Sequence, residues 1–426
     1  MTRSTVFLAL IAPLFLISNA TAQQVAATAE LPMAAPEDVG MSAEKLAKVK
    51  PALQKFIDDG KVAGAIAIVA RRGKVVLFDS VGYADVDTKR PLEKDAVLRF
   101  YSMTKAMTSV GIMMLVEEGK IGLDDPMAKF VPEFKDAKVF VAMENKKMQT
   151  EDLVRAPTIR DLLRHTSGLT YGIFGSTPID MSYMFRGVLS PNNDLQKMVE
   201  KAGSIPLLFQ PGSRFNYSIS TDVLGHIIER VSGQGLDEFL QARIFEPLDM
   251  KDTGFHVPAD DVARFSSNHQ PKEGGGVEVK EKSDDSPFLK VPKMLSGGGG
   301  TVSTARDYIR FCQMLLNGGE LNGTRLLQEA TVADMTKNHL PSSAYPISMG
   351  GIPREGIGFG LGFSVCVEQT DPGMPAGEYG WGGAASTHFW ISPKDELAVV
   401  VLSQQMPFTL QLEIATKPLI YDAIVD

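Results

Sequence analysis

The sequence predicts an α+β fold: an antiparallel sheet flanked by helices, with a largely helical region inserted between its early and late strands. Three observations point there. Residues 65–70 and 75–78 are β-branched runs joined by Arg71-Arg72-Gly73-Lys74, a hairpin pattern with a polar, Gly-containing turn. Strand chemistry returns only near the other end, at 389–391 and 397–402. Between them, residues 136–290 are helical in pattern and rich in loops, with a strongly charged stretch at 273–285.

The elements follow in order. A short positive start, an apolar run from Val6 to Ile17 and the small residues Ala20-Thr21-Ala22 read as an export leader over residues 1–22. Its apolar run is short for a bilayer, so no stable membrane insertion is expected after cleavage, and a periplasmic or secreted location follows. Residues 23–35 are Ala-rich and Pro-punctuated, which predicts a flexible mature N-terminus. Leu46, Val49, Leu53 and Phe56 make a one-sided apolar stripe over 42–59, an amphipathic helix. After Leu98-Arg99-Phe100-Tyr101, a helix is expected from Ser102 to Glu118, with Gly119 placed to end it. Residues 110–116 are apolar on every side, so this helix should be buried centrally. Further helices are expected at 158–163, 222–231 and 304–316. Residues 36–135 and 291–426 are thus expected to form one discontinuous α/β lobe and 136–290 a helical one.

Composition narrows the function. A chain of 426 residues with 44% hydrophobic content has material for a sizeable core. The formal charge of -8, or -9 without Arg3, leaves no basic footprint for nucleic acid. Two cysteines, Cys312 and Cys366, are too few to scaffold the fold, and they read equally as buried small hydrophobes or as a pair. There is no G-x-S-x-G, no H-E-x-x-H and no clustered metal-ligand spacing, so neither a Ser-His-Asp triad, a metal nor a cofactor is implied.

Ser102-Met103-Thr104-Lys105 matches S-x-x-K, and positions i and i+3 on one helical face bring hydroxyl and amine together. A helix that starts at the nucleophile also sets free N–H groups and the positive dipole end beside developing negative charge. Ser42-Ala43-Glu44-Lys45 matches the same pattern, however. Ser42 opens a surface-like amphipathic helix and reads as an N-cap, whereas Ser102 opens an apolar helix just after a strand.

F-Y-S-M-T-K at 100–105, followed by the apolar helix and E-G-K-I-G-L-D-D-P at 118–126, resembles the serine β-lactamase and penicillin-binding-protein superfamily. The run L-L-R-H-T-S-G-L at 162–169 is similar to a signature of that family, where His165 would be a structural hydrogen-bonding residue. The resemblance implies a β-lactamase-like fold. It also assigns Tyr217, in Phe215-Asn216-Tyr217-Ser218-Ile219, to the second motif as a partner of Lys105 in proton transfer. Trp381-Gly382-Gly383-Ala384 stands where the family has K-T-G or H-T-G. By that resemblance the backbone N–H groups of Ser102 and Ala384 form the oxyanion hole, and Trp381, Gly382 and Gly383 border the substrate.

Two departures direct the substrate. Ile219 stands where a β-lactamase usually has Asn, and Trp381 where it has Lys. Losing the lysine removes a charge-assisted bond to the carboxylate of a penicillin or a D-Ala-D-Ala peptide, a bond that an uncharged ester does not need. Ile219 and the nearby His388 are expected to face the substrate. The pattern is most similar to the family VIII carboxylesterase branch, within a class C-like framework, and the resemblance covers about residues 38–410. It implies a serine hydrolase that cleaves small-molecule carboxylic esters through an acyl-enzyme. Two other readings stay open at this point: a β-lactamase or D-alanyl-D-alanine carboxypeptidase, and a non-catalytic cell-wall-binding or sensing protein of the same fold.

Overall fold

The computed structural model describes residues 1, 30–370 and 373–426. The leader expected at 1–22 therefore lies outside the described residues, apart from Met1. One antiparallel sheet organises the molecule. Its strands are β1 (Gly64–Arg71), β2 (Lys74–Asp85), β3 (Arg90–Pro91), β4 (Ile357–Phe359), β5 (Ser364–Cys366), β6 (Tyr379–Gly383), β7 (Thr387–Ser392) and β8 (Leu397–Ser403). They lie in the order β4-β5-β6-β7-β8-β1-β2-β3, so the early and late strands meet where β1 pairs with β8, Ile66 opposite Leu402 and Val69 opposite Val399.

Period-two alternation gives the sheet two buried faces. On one, Ile66, Ile68, Phe389, Ile391, Val400 and Leu402 join the main core. On the other, Ala65, Ala67, Val69, Trp390, Val399 and Val401 pack against Val49, Leu53, Leu412 and Ile420. Those four come from α1 (Val49–Asp58) and from a C-terminal helix, Gln411–Asp422. The first face carries α2 (Thr104–Glu117) and the helix Ala305–Leu316. Every residue of α2 from Thr104 to Leu115 is buried, as its all-round apolar sequence predicts. Gly111 lets it cross its neighbours closely, since a Cβ there would meet Ile228 and Phe239 at 3.2 Å. Gly119 at φ 70° follows the last turn, as expected of a helix-ending glycine.

Residues 136–290 hold α3 (Ile159–Leu163), α4 (Pro178–Phe185), Leu195–Gly203, α5 (Ser220–Ser232) and two small hairpins. The sequence pattern hides α4 because Met181, Met184 and Phe185 are exposed and give it no clean apolar stripe. Its start is nonetheless written locally: Pro178 is the first helical residue, and Thr177 and Asp180 form a capping box. The charged stretch is ordered too, with residues 277–281 pairing with 268–271.

Of the segment 23–35, expected to be flexible, residues 23–29 lie outside the described residues, and the end next to β2 is held. Within 23–35, the Ala34 N–H donates to Val75 O at 3.0 Å, Val75 N–H donates to Pro32 O at 2.9 Å, and Leu31 joins the main core. Backbone pairing with β2 pins this end of the segment. Cys312 and Cys366 are both buried and unpaired. No helix among the described residues is long and apolar enough to cross a membrane.

Candidate active site

Ser102 sits in a 3₁₀ turn, Tyr101–Met103, that runs directly into α2. Tyr101 holds φ 43°, a conformation that costs a bulky residue energy and must be fixed by its surroundings. The fixing contacts are specific. Tyr101 OH accepts from Asn268 Nδ2 at 2.9 Å. Two residues earlier, the fully buried Arg99 donates to Glu281 Oε1 at 2.7 Å and to Ser266 O at 2.7 Å, while its own N–H donates to Gln404 Oε1 at 3.0 Å. The charged stretch thus supplies the carboxylate that neutralises the arginine leading into the Ser102 turn.

One turn along, Lys105 is 2% exposed and donates to three oxygens: Ser102 Oγ at 3.2 Å, Tyr171 OH at 2.8 Å and Gly298 O at 2.5 Å. The Gly298 carbonyl is itself positioned. Asp222 Oδ1, on α5, accepts from Gly298 N–H at 3.1 Å and from Ser296 Oγ at 2.5 Å, and Thr108 Oγ1 on α2 donates to Gly297 O at 2.9 Å. Burial raises the Asp222 carboxyl above its usual range, against the pull of the Lys105 charge and these hydrogen bonds.

Tyr217 meets Lys105 differently from the sequence expectation. Its ring, not its hydroxyl, faces the ammonium, 4.7 Å from centroid to Nζ, a cation–π arrangement. Its OH accepts from Trp381 Nε1 at 3.3 Å. The phenol hydrogen-bonded to Lys105 belongs to Tyr171, which the sequence reading missed although it lies only six residues past His165. Burial, followed by the neighbouring Tyr217 and Asp222, pushes the Tyr171 phenol well above its ordinary range, so it stays protonated near neutrality. His165 takes the structural place expected of it. Its ring packs on Tyr217 at 4.9 Å and Nδ1 lies 3.2 Å from Ser218 Oγ. Burial and then Lys105 hold its pKa well below that of a free imidazole, so it is neutral at pH 7.

The third motif lies on β6. Strand β5 pairs only with Tyr379 and Gly380, which leaves residues 381–383 bonded to β7 alone, with a free edge. Trp381 reaches the aromatic cluster, 5.3 Å from Tyr217 and 5.2 Å from Phe359 between ring centroids. A Cβ on Gly383 would collide with the Phe100 carbonyl oxygen. That glycine therefore lets the end of β6, and Ala384 after it, approach the Ser102 turn.

Three pocket assignments are corrected. Ile219 is fully buried in the main core, where its aliphatic side chain is better satisfied than at a polar site. His388 alternates with Phe389 on β7, so it points to the opposite face of the sheet. There its Nε2 lies 3.0 Å from Thr409 O and its Nδ1 3.1 Å from Glu413 Oε2. Gly382, paired with His388, faces the same way: a Cβ there would lie 3.0 Å from the Phe408 ring. The second S-x-x-K pair is remote from all of this, with Ser42 capping its short helix and Lys45 Nζ bonded to Asp422 O at 2.9 Å.

A cavity of about 470 Å³ opens beside the cluster. Phe174, Arg214, Phe215, Tyr217 and residues of the 343–351 loop line it. No group of His, Cys, Asp and Glu among the described residues has the arrangement of a metal site.

Comparison with known proteins supports the serine chemistry. The β-lactamase family model matches residues 49–417. Protein Rv1367c of Mycobacterium tuberculosis is 34% identical over 364 residues, covering 83% of this chain and 89% of that protein. Esterase EstB of Burkholderia gladioli is 29% identical over 385 residues, covering 85% and 91%. The solved structure of EstCE1, described as a hydrolase with promiscuous acyltransferase activity, superposes with a TM-score of 0.74 at 27% identity, over 89% of this chain and 99% of that one. The chain belongs to the β-lactamase family and is a serine hydrolase.

Proposed function

We propose that this protein cleaves carboxylic esters, with no charge required beside the scissile carbonyl, through an acyl-enzyme on Ser102. The observation that carries the reading is the approach of the buried Lys105 Nζ to Ser102 Oγ at 3.2 Å beside a half-buried aromatic cluster that includes Trp381. Lys105 takes the hydroxyl proton as Oγ attacks the ester carbonyl. The resulting oxyanion is held by the N–H groups of Ser102 and Ala384. Collapse breaks the bond to the alkoxide, which leaves with a proton relayed from Lys105 through Tyr171 or Tyr217. Water then attacks the acyl-enzyme by the same steps in reverse, releasing the acid and restoring Ser102.

Trp381 sets the preference. An indole cannot make the bidentate or charge-assisted bond that a lysine or arginine offers to a carboxylate next to the scissile bond. The names of EstB and EstCE1 agree with ester cleavage. Turnover of p-nitrophenyl butyrate and nitrocefin, each compared with Ser102→Ala, tests the proposal. Butyrate hydrolysis that disappears in the variant is expected; rapid nitrocefin turnover without ester cleavage would replace this reading with a β-lactamase. Labelling by a fluorophosphonate that persists unchanged in Ser102→Ala would remove the serine mechanism itself. The reading of residues 1–22 as an export leader supports a location outside the cytoplasm, and on that reading protein recovered there should begin at Gln23.

A further inference from the structure

The cavity beside the cluster has an uneven chemistry that ester hydrolysis alone does not explain. Part of its lining is aromatic. Tyr217 belongs both to this lining and to the Lys105 cluster, and Phe174 packs edge-on against Tyr171 at 5.5 Å and tilted against Tyr217 at 6.0 Å. Its rim carries a cation. Arg214 lines the cavity with its guanidinium laid over the Phe209 ring at 4.5 Å, and among the described residues it makes no ion pair.

Arg214 contrasts with the arginines nearby. Arg155 and Arg164 are both committed to Asp161, and Arg160 to Asp124. The one carboxylate that lines the same cavity, Asp180, is buried and turned inward, accepting from Thr170 Oγ1 at 2.6 Å, Thr177 N–H at 3.0 Å and Thr177 Oγ1 at 2.7 Å. Ser343, Tyr345 and Ser348 line the cavity together with Arg214. A planar fork of five donors, oriented by an aromatic face, fits a carboxylate better than a point charge would.

We propose that this cavity binds the distal carboxylate of the substrate, so that the preferred esters carry a free acid group on an apolar spacer. The inference rests on the ester reading above and narrows its substrate class. Arg214 lies three residues from Tyr217, which keeps their Cα atoms within about 10 Å of each other. The apolar spacer lies along Phe174, Phe215 and Tyr217, and the acid ends at the guanidinium. The design moves the negative charge away from the scissile bond, where Trp381 offers it nothing, to the rim.

The test compares matched charged and neutral esters. One pair places the acid on the acyl side, p-nitrophenyl hemiadipate against its methyl ester. The other places it on the alcohol side, the butyrate ester of 6-hydroxyhexanoate against that of its methyl ester. Wild type should favour the charged member of at least one pair in kcat/KM, and the pair that responds tells which half of the ester occupies the cavity. Arg214→Ala should lower that charged-to-neutral ratio ~10- to 100-fold, mainly through KM, with Arg214→Lys intermediate. Raising the salt concentration should weaken the wild-type preference. Equal rates for charged and neutral esters in wild type, or an unchanged ratio in Arg214→Ala, overturns the proposal. Calorimetric titration of Ser102→Ala with monomethyl adipate separates this outcome from failure of the ester reading. Binding lost in Ser102→Ala/Arg214→Ala supports the carboxylate site even if wild type hydrolyses no ester, and binding that ignores Arg214 refutes it.

Discussion

Ser42–Lys45 and Ser102–Lys105 share one sequence pattern and a helical start, yet their surroundings give them opposite fates. Lys45 has a 40% exposed side chain and bonds to Asp422 at the surface, while Ser42 Oγ accepts from the Lys45 N–H at 3.3 Å as an ordinary helix cap. Lys105 is buried among Tyr171, Tyr217 and the Gly298 carbonyl, and its serine lies on a turn strained at Tyr101. The spacing supplies only proximity of hydroxyl and amine. Desolvation and the partners contributed by α5, the 296–299 loop and β6 give Ser102–Lys105 the setting that its proposed acid–base role requires, because a dry, preorganised environment strengthens each polar interaction.

The largest effects should fall on the buried pair. Ser102→Ala is expected to remove esterase activity down to the background left by substrate binding, a loss of at least about 10⁴-fold in kcat. Lys105→Met, which keeps much of the side-chain volume, should lower kcat/KM by roughly 10²- to 10⁴-fold, the usual range for a lost general base. Measured folding stability near wild type in both variants would assign the losses to chemistry. A Lys105→Met enzyme within threefold of wild type would break the contrast between the two pairs.

Next come the partners that only Ser102–Lys105 has. Tyr171→Phe deletes the hydroxyl that accepts from Lys105 and should cost roughly 10- to 100-fold in kcat. Tyr217→Phe keeps the ring over the ammonium and loses the bond from Trp381, so its effect should be smaller. The reverse ranking in steady-state kinetics would return the leading role to Tyr217, where the sequence motif put it.

A third difference is scaffolding, and it is readable in pH. Asp161, on α3 just before His165, is fully buried and accepts from Arg155, Arg164, Thr166 Oγ1 and the Thr158 N–H. Burial pushes its carboxyl up, but these hydrogen bonds outweigh that and hold it at about 2. The folded pKa is thus depressed below the unfolded value near 3.9, so the stabilisation is fully present above about pH 5 and is lost as pH falls toward 2. Its size is about 2 to 3 kcal/mol. Asp161→Asn should therefore lower stability at pH 7 by at least that amount, and its stability curve should be flatter than that of wild type between pH 5 and pH 2. Parallel denaturation curves across that range would show that Asp161 does not anchor this segment.

How much of the site the sequence exposed follows the same logic. Ser102, Lys105 and Trp381 were legible because each belongs to a short run whose chemistry depends on local spacing. The central helix and the β1–β2 hairpin were legible through periodicity. Tyr171 was missed because its bond to Lys105 spans 66 residues and depends on how the 165–171 segment turns back over α2. Glu281, the partner of Arg99, lies 182 residues away within a stretch that reads as a charged loop. His388 was misplaced by parity, since a shift of one residue on a strand changes the face. Ile219 was misplaced by analogy, for an aliphatic residue in a normally polar position had room to turn into the core.

The smallest effects should come from the exposed pair, and they complete the comparison. Ser42→Ala removes one cap hydrogen bond and should cost about 1 kcal/mol of stability, with kcat and KM unchanged. Lys45→Met severs a surface ion pair with Asp422 and should move stability by under about 1 kcal/mol, less still at high salt. Thermal denaturation and ester turnover measured on the same samples check both. A catalytic loss in either variant would mean that the surface helix, α1 and the C-terminal helix communicate with Ser102 through the sheet. The structure argues against that coupling, because Leu46, Leu53 and Leu412 pack on the Trp390 face, while Ser102 and Lys105 work from the face of Phe389.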